Sequence, residues 1–293
     1  MPRIKVNTGI EIEYETFGSH SHPTLLLISG FTAQLTSWHV GLCEQFAATH
    51  FHVVRFDNRD SGLSTKLDDA AVDMDAVIHA ALMEDEIPAV PYKLSHMAAD
   101  AVGLLSALNI DKAHIMGASM GGMIAQTVAI EHPDRVLTLT SVMSQPGEPE
   151  VGQPTPEAME ALLSAPPTNR DDFIASSSNW LVWHSKKYRD AARTRADAAR
   201  DYDRSFYPAG APRQLSAIYA SGRRTVGLAA LTMPTLVIHG LDDTLIAPDG
   251  GERTAEIVPN AKLVMLADMG HDLPEPLWAT YVSEFVELAA RVQ

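Results

Sequence analysis

A doubly wound α/β sheet with an antiparallel edge at its amino end is the fold this sequence predicts. Three observations predict it. Short apolar runs closed by turn residues recur along the chain, helical stretches separate them, and the first two strands alternate as a hairpin does. Ile4-Lys5-Val6-Asn7 and Ile10-Glu11-Ile12-Glu13-Tyr14-Glu15 alternate apolar and polar residues around Thr8-Gly9, which predicts a hairpin with one wet face. The runs that follow are residues 24–28 before Ser29-Gly30, 52–56 before Asp57-Asn58, 113–116 before Gly117, 137–142, 235–238 before His239-Gly240, and 262–266. Their length and character suit strands covered on both faces of a parallel sheet. Between them, residues 94–108 repeat apolar side chains at three and four. Residues 120–130 run to a stop at Pro133, and residues 276–292 close the chain.

Two stretches interrupt the alternation. Residues 66–91 are acidic and loop-like, with part of the stretch helical. Residues 146–228 begin with the linker PGEPEVGQPTPE and continue with helical segments at 156–163 and 171–184. An insertion after the sixth strand stands over the carboxyl edge of the sheet, where α/β folds bind ligands. The sequence therefore predicts a core of residues 1–145 and 229–293 with an inserted helical lid of residues 146–228. Charge sets the insertion apart. The chain carries a formal −15, yet residues 170–224 hold eleven Lys or Arg against six Asp, about +5 locally. Some of these basic groups are expected to meet the acidic 66–91 stretch and hold the lid down through weak surface pairs. Trp180, Leu181, Trp183 and Phe206 are candidates for pocket lining or for the lid's own core.

Composition narrows the function. A charge of −15 argues against general nucleic-acid affinity, which needs basic patches. No apolar run approaches the ~20 residues of a membrane helix, and the amino end lacks the apolar stretch of a secretory signal. Cys43 is the single cysteine, so an internal disulfide or a cysteine-rich metal site is ruled out, and its setting reads as the inner face of a helix. A cytoplasmic location is the expectation.

The strongest chemical signal is Gly117-Ala118-Ser119-Met120-Gly121, followed by Gly122. The G-x-S-x-G pattern alone is weak. Here it closes a strand and opens a helix, the setting in which flanking glycines allow a sharp turn that lifts a serine hydroxyl above the sheet. A serine needs a base, and the base needs an orienting acid. Among twelve histidines, His271 stands out in Met269-Gly270-His271-Asp272, just past the last strand and on the same sheet edge as Ser119. The acid is expected after the 235–238 strand, in Leu241-Asp242-Asp243. Either aspartate could serve; Asp243 is preferred for its distance from the strand end, and Glu148 or Glu150 are weaker sources. An oxyanion hole would use the amide of Met120 and that of Phe31, freed by the turn at Gly30.

On these residues the chain resembles the α/β-hydrolase superfamily over nearly its whole length. The resemblance runs through Leu26-Leu27-Ile28-Ser29-Gly30-Phe31, residues 56–64, Gly117–Gly122, residues 234–243 and Gly270-His271. Residues 57–64 and 117–122 look most like bacterial carboxylesterases related to the anthracycline methyl esterases. Ser29 departs from the histidine that many members carry before the glycine. The resemblance implies a Ser119–Asp243–His271 triad, oxyanion amides at Phe31 and Met120, and a structural turn at Arg59 and Asp60. It further implies hydrolysis of a small-molecule ester without metal or organic cofactor. C–C bond hydrolases, lactonases and perhydrolase-like enzymes of the same fold keep the serine, and some relatives are ligand receptors with little turnover. These alternatives, the ester itself and the oligomeric state stay open at the level of sequence.

Overall fold

The computed structural model describes residues 1–292. Its strands are β1 (Arg3–Lys5), β2 (Glu11–Phe17), β3 (Thr24–Ile28), β4 (His52–Phe56), β5 (Ala113–Ala118), β6 (Val136–Val142), β7 (Thr235–Gly240) and β8 (Lys262–Leu266). They form one eight-stranded sheet in the order β1-β2-β4-β3-β5-β6-β7-β8. β1 and β2 pair antiparallel, as do β2 and β4, and every later pairing is parallel. The order reverses at β3, so the loops after β3 and β5 diverge around a switch-point crevice.

The helices are α1 (Val40–Ala48), α2 (Met74–Leu82), α3 (Leu94–Ala107), α4 (Met120–Glu131), α5 (Pro156–Leu163), α6 (Arg170–Ser176), α7 (Ala191–Ser205), α8 (Ala211–Ser221), α9 (Thr225–Ala229), α10 (Pro248–Ile257) and α11 (Trp278–Ala289). Successive strand residues point to opposite faces. In β3, Leu26 and Ile28 join α3 and α4 in one buried cluster. Leu25 and Leu27 join α1 and α11 in the other. Both faces are therefore covered, which is why β3, β4 and β5 are buried at every position. Cys43 lies in the α1–α11 layer, fully buried, on the inner face of its helix as the sequence suggested.

The insertion after β6 contributes α5 to α9. One expectation needs correcting. Residues 171–184 are not a continuous helix: α6 ends at Ser176 and a 3₁₀ segment, Ser177–Val182, follows. The cause is local. Ser176, Ser177 and Ser178 each turn a hydroxyl back onto the carbonyl three residues earlier, at Phe173, Ile174 and Ala175. Such back-bonding competes with the α-helical ladder. Within the insertion, Phe173, Trp180, Tyr202 and Phe206 make a cluster with ring centroids 4.6–5.9 Å apart. Trp180 and Phe206 thus pack against their own insertion.

Candidate active site

Ser119 sits between the last residue of β5 and the first of α4, at φ 58° and ψ −124°. A non-glycine residue held there costs of order 1–3 kcal/mol, so the surroundings must impose the turn. They do so by close approach. A side chain at Gly117 would overlap the carbonyl of Gly121, and one at Gly121 would overlap that of Ile28. The Ser119 amide donates to Val142 O at 3.0 Å, and its carbonyl accepts from Gly122 N at 2.8 Å and from Ser144 Oγ at 2.9 Å. Backbone bonds thus fix the residue. α4 begins at Met120, so the Met120 amide is among the donors a helix leaves unpaired at its amino end.

The loop after β3 passes against this serine. A Cβ built on Gly30 would lie 3.2 Å from Ser119 Cβ and 3.7 Å from its Oγ. Phe31 follows, half-buried against the α3–α4 layer. Thr32 has a positive φ of 56°. Its amide donates to Gln214 Oε1 on α8 at 2.8 Å, while Gln214 Nε2 donates to Arg59 O at 2.9 Å. The fully buried Gln214 therefore ties the Phe31 loop to the 57–64 turn. Ser29, where many relatives carry histidine, donates to Gln34 O at 3.3 Å, and its carbonyl accepts from Asn58 Nδ2 at 2.9 Å.

Of the two aspartates after β7, Asp243 turns inward and Asp242 outward. Asp243 Oδ1 accepts from the amides of Leu245 and Ile246, both at 2.9 Å. Its Oδ2 lies 2.7 Å from His271 Nδ1 and 3.4 Å from His239 Nε2. Burial by itself would raise the pKa of this carboxyl. The charge of His271 and the hydrogen bonds from His239 and His271 outweigh burial and bring it down to about 2. Asp242 is part-exposed and pairs with Lys186 at 3.3 Å. Glu148 is held by Arg253 and Thr225, and Glu150 by Arg223, so neither meets the imidazole.

With Nδ1 bonded to Asp243, the Nε2 of His271 takes no part in that bond, an arrangement compatible with a general base. Among the described residues no Ser119 Oγ–His271 Nε2 hydrogen bond is formed; such bonds are often long before substrate binds. Ser119, Asp243 and His271 all follow the carboxyl ends of parallel strands, β5, β7 and β8. Sequence reasoning missed His239, Gln214 and Ser185. His239 lies inside β7, and the other two lie in an insertion with no readable motif. No group of three or more His, Cys, Asp or Glu is arranged to hold a metal ion among the described residues. A recess of about 640 Å³ lined by residues such as Met74, Ala89 and Pro212 shares no residue with this cluster.

The strand order, the strained serine turn and the buried Asp–His pair define an α/β-hydrolase, and the chain belongs to the α/β-hydrolase fold family, whose model matches residues 23–275. It is similar to the rhodomycin D methylesterase DauP of Streptomyces sp. strain C5, 28% identical over 90% of this chain and 91% of that protein. It is likewise similar to the rhodomycin D methylesterase DnrP of Streptomyces peucetius, 27% identical over 94% of this chain and 95% of that protein. Among solved structures, the enol-lactonase of Burkholderia xenovorans LB400 superposes with a TM-score of 0.73 at 24% identity, covering 99% of this chain and 100% of the other. That likeness establishes the fold.

Proposed function

We propose that this chain is a serine carboxylic ester hydrolase, with Ser119 as nucleophile, His271 as general base and acid, and Asp243 as the acid that orients it. The observation that carries this reading is the buried Asp243–His271 bond of 2.7 Å on the same strand-end edge as a serine held at φ 58°. In the first step Ser119 Oγ attacks the ester carbonyl while His271 Nε2 takes its proton. The oxyanion is held by the amides of Phe31 and Met120. Collapse of the tetrahedral intermediate expels the alcohol, which receives the proton from His271. Water then attacks the acyl-enzyme by the same route and releases the acid. Asp243 stays ionised throughout, because its pKa of about 2 lies far below the working range.

The substrate in this reading is a small-molecule ester, and the methylesterase relatives favour a methyl ester. Residues 1–145 and 229–293 form the catalytic core and residues 146–228 the lid that selects the ester. The net charge of −15 favours a small molecule over nucleic acid as partner. No helix among the described residues is long and apolar enough to cross a membrane. The single buried cysteine is in keeping with a cytoplasmic enzyme.

The test is Ser119→Ala, assayed on a panel of methyl and longer-chain esters and with a fluorophosphonate probe. We expect a folded protein, no probe labelling, and kcat lowered by up to ~10⁶-fold. More than a few per cent of wild-type turnover in the variant would mean another nucleophile.

A further inference from the structure

The loop that carries His271 is gripped from the insertion at three consecutive residues. Gly270 N donates to Ser185 Oγ at 2.9 Å. His271 N donates to Trp183 O at 2.7 Å. The carboxylate of Asp272 accepts from Ser185 N at 3.0 Å, and Ser185 Oγ donates to the same oxygen. Ser185 is fully buried, and its hydroxyl is used both ways, accepting from one flank of the histidine and donating to the other. The fit leaves no slack. A Cβ on Gly270 would lie 2.5 Å from Ser185 N and would overlap the Trp183 carbonyl. On the sheet side the loop is tied by Asp242 N donating to Met269 O at 2.9 Å, and the imidazole ring by Asp243. The ring is therefore fixed by the core, while the backbone that aims it is fixed by residues 183–185 of the insertion.

We propose that Ser185 and Asp272 are positioning residues for His271, so that proton transfer at Nε2 depends on residues 183–185 being seated against the base loop. This rests on the reading of His271 as the base. Asp243 fixes one ring nitrogen, but a ring pinned at one atom still pivots when its backbone moves. A displacement of about 1 Å at a reacting group costs on the order of 100-fold in rate. Three bonds to consecutive residues remove that freedom. Ser185 acts through His271 and touches no substrate.

The experiment compares Ser185→Ala, Ser185→Thr, Asp272→Ala and His271→Gln, measuring kcat, KM and the urea midpoint of each. Ser185→Ala is expected to lower kcat about 10- to 100-fold with KM little changed. Ser185→Thr, which keeps the hydroxyl, is expected to restore most of the loss, and Asp272→Ala to behave like Ser185→Ala. A clip that served folding alone would lower the urea midpoint and leave kcat of the folded protein as in the wild type. That result overturns the proposal, as does a loss confined to KM. Should Ser185→Ala not fold, Asp272→Ala carries the same decision. His271→Gln separates the two levels. If it retains turnover, the base assignment fails. If it is inactive while Ser185→Ala and Asp272→Ala turn over normally, the base stands and the positioning role falls.

Discussion

The basic insertion meets two acidic stretches of the core, and it meets them differently. Against residues 57–64 the pairs are inside the protein. Arg213 reaches Asp60 at 2.8 Å with side chains 7% and 0% exposed, and Arg204 reaches Asp57 at 2.8 Å with 12% and 0%. Each aspartate is already spoken for by the turn. Asp57 accepts from the amides of Leu35 and Leu63, both at 2.7 Å, and Asp60 from Leu67 N and Tyr92 Oη, both at 2.8 Å. Against residues 66–91 the pairs are outside. Arg223 meets Glu84 at 3.0 Å with side chains 43% and 69% exposed. The exposed Arg223–Glu84 pair is the weak surface contact expected between the insertion and the acidic 66–91 stretch, while the buried ion pairs go to the neighbouring turn. Formal charge favours 66–91, with seven Asp or Glu against one Lys, over 57–64, with two Asp against one Arg; burial instead decides which pair couples strongly to the fold.

The same contrast separates Asp243 from Asp242, and there the expected effect is largest. Asp243→Asn should lower kcat by ~10⁴-fold, because an amide favours the wrong imidazole tautomer and cannot stabilise the imidazolium. Asp242→Asn, which alters only a part-exposed pair with Lys186, should change kcat little. Steady-state kinetics on one ester decides it, and equal losses would erase the distinction between buried and exposed acid. Next in size, Arg213→Ala should destabilise the protein by ~3–5 kcal/mol, since it strips the cation from the buried Asp60. A urea midpoint unchanged from the wild type would show that the Tyr92 and Leu67 contacts suffice.

Imidazoles extend the comparison to pH. Burial lowers the His114 pKa to about 4, and burial, then His20 and His22, do the same for His52. The unfolded chain binds these protons near pH 6.5 and the folded one does not, so stability should fall as pH drops from about 6.5 to about 4. His114→Gln should flatten that slope in thermal melts across the window; an identical slope would assign it to other groups. The smallest effect belongs to the exposed pair. Arg223→Ala should leave the urea midpoint almost unchanged, with any loss smaller still in high salt. A larger, salt-insensitive loss would place the 66–91 stretch on the same footing as the 57–64 turn.

Much of the core was legible because its signals are local. Residues 24–28, 52–56 and 262–266 are strands at the predicted bounds, and residues 94–107 and 120–131 are helices within a residue of theirs. Ser119 and His271 stand out in the sequence for the same reason, each lying past a strand end with glycine close by, at Gly117 and Gly121 for the serine and at Gly270 for the histidine. The insertion was harder. α7 is built almost wholly of Arg, Asp and Ala, with Thr194 and Ala198 its buried residues, so it offers no apolar stripe to find. It starts where Asp190 accepts from Arg193 N, a cap visible only once the helix is known. Spacing preferred Asp243 over Asp242 without deciding between adjacent residues. Their different placement follows from the Leu245 and Ile246 amides, which turn the Asp243 carboxylate inward. Gln214 and Ser185 act across long loops, at Thr32 and Asp272, and no neighbouring residue announces either.

Cys43 has a practical consequence. Burial pushes its thiol up to about 12, so at neutral pH the reactive thiolate is about one part in 10⁵. The native chain is thereby expected to react only slowly with maleimides, without any cysteine being removed. A single cysteine introduced at an exposed site such as Val226, 88% exposed beside the end of the insertion, would accept one dye stoichiometrically. Fluorescence from that label would report the seating of residues 146–228 in an otherwise unaltered enzyme.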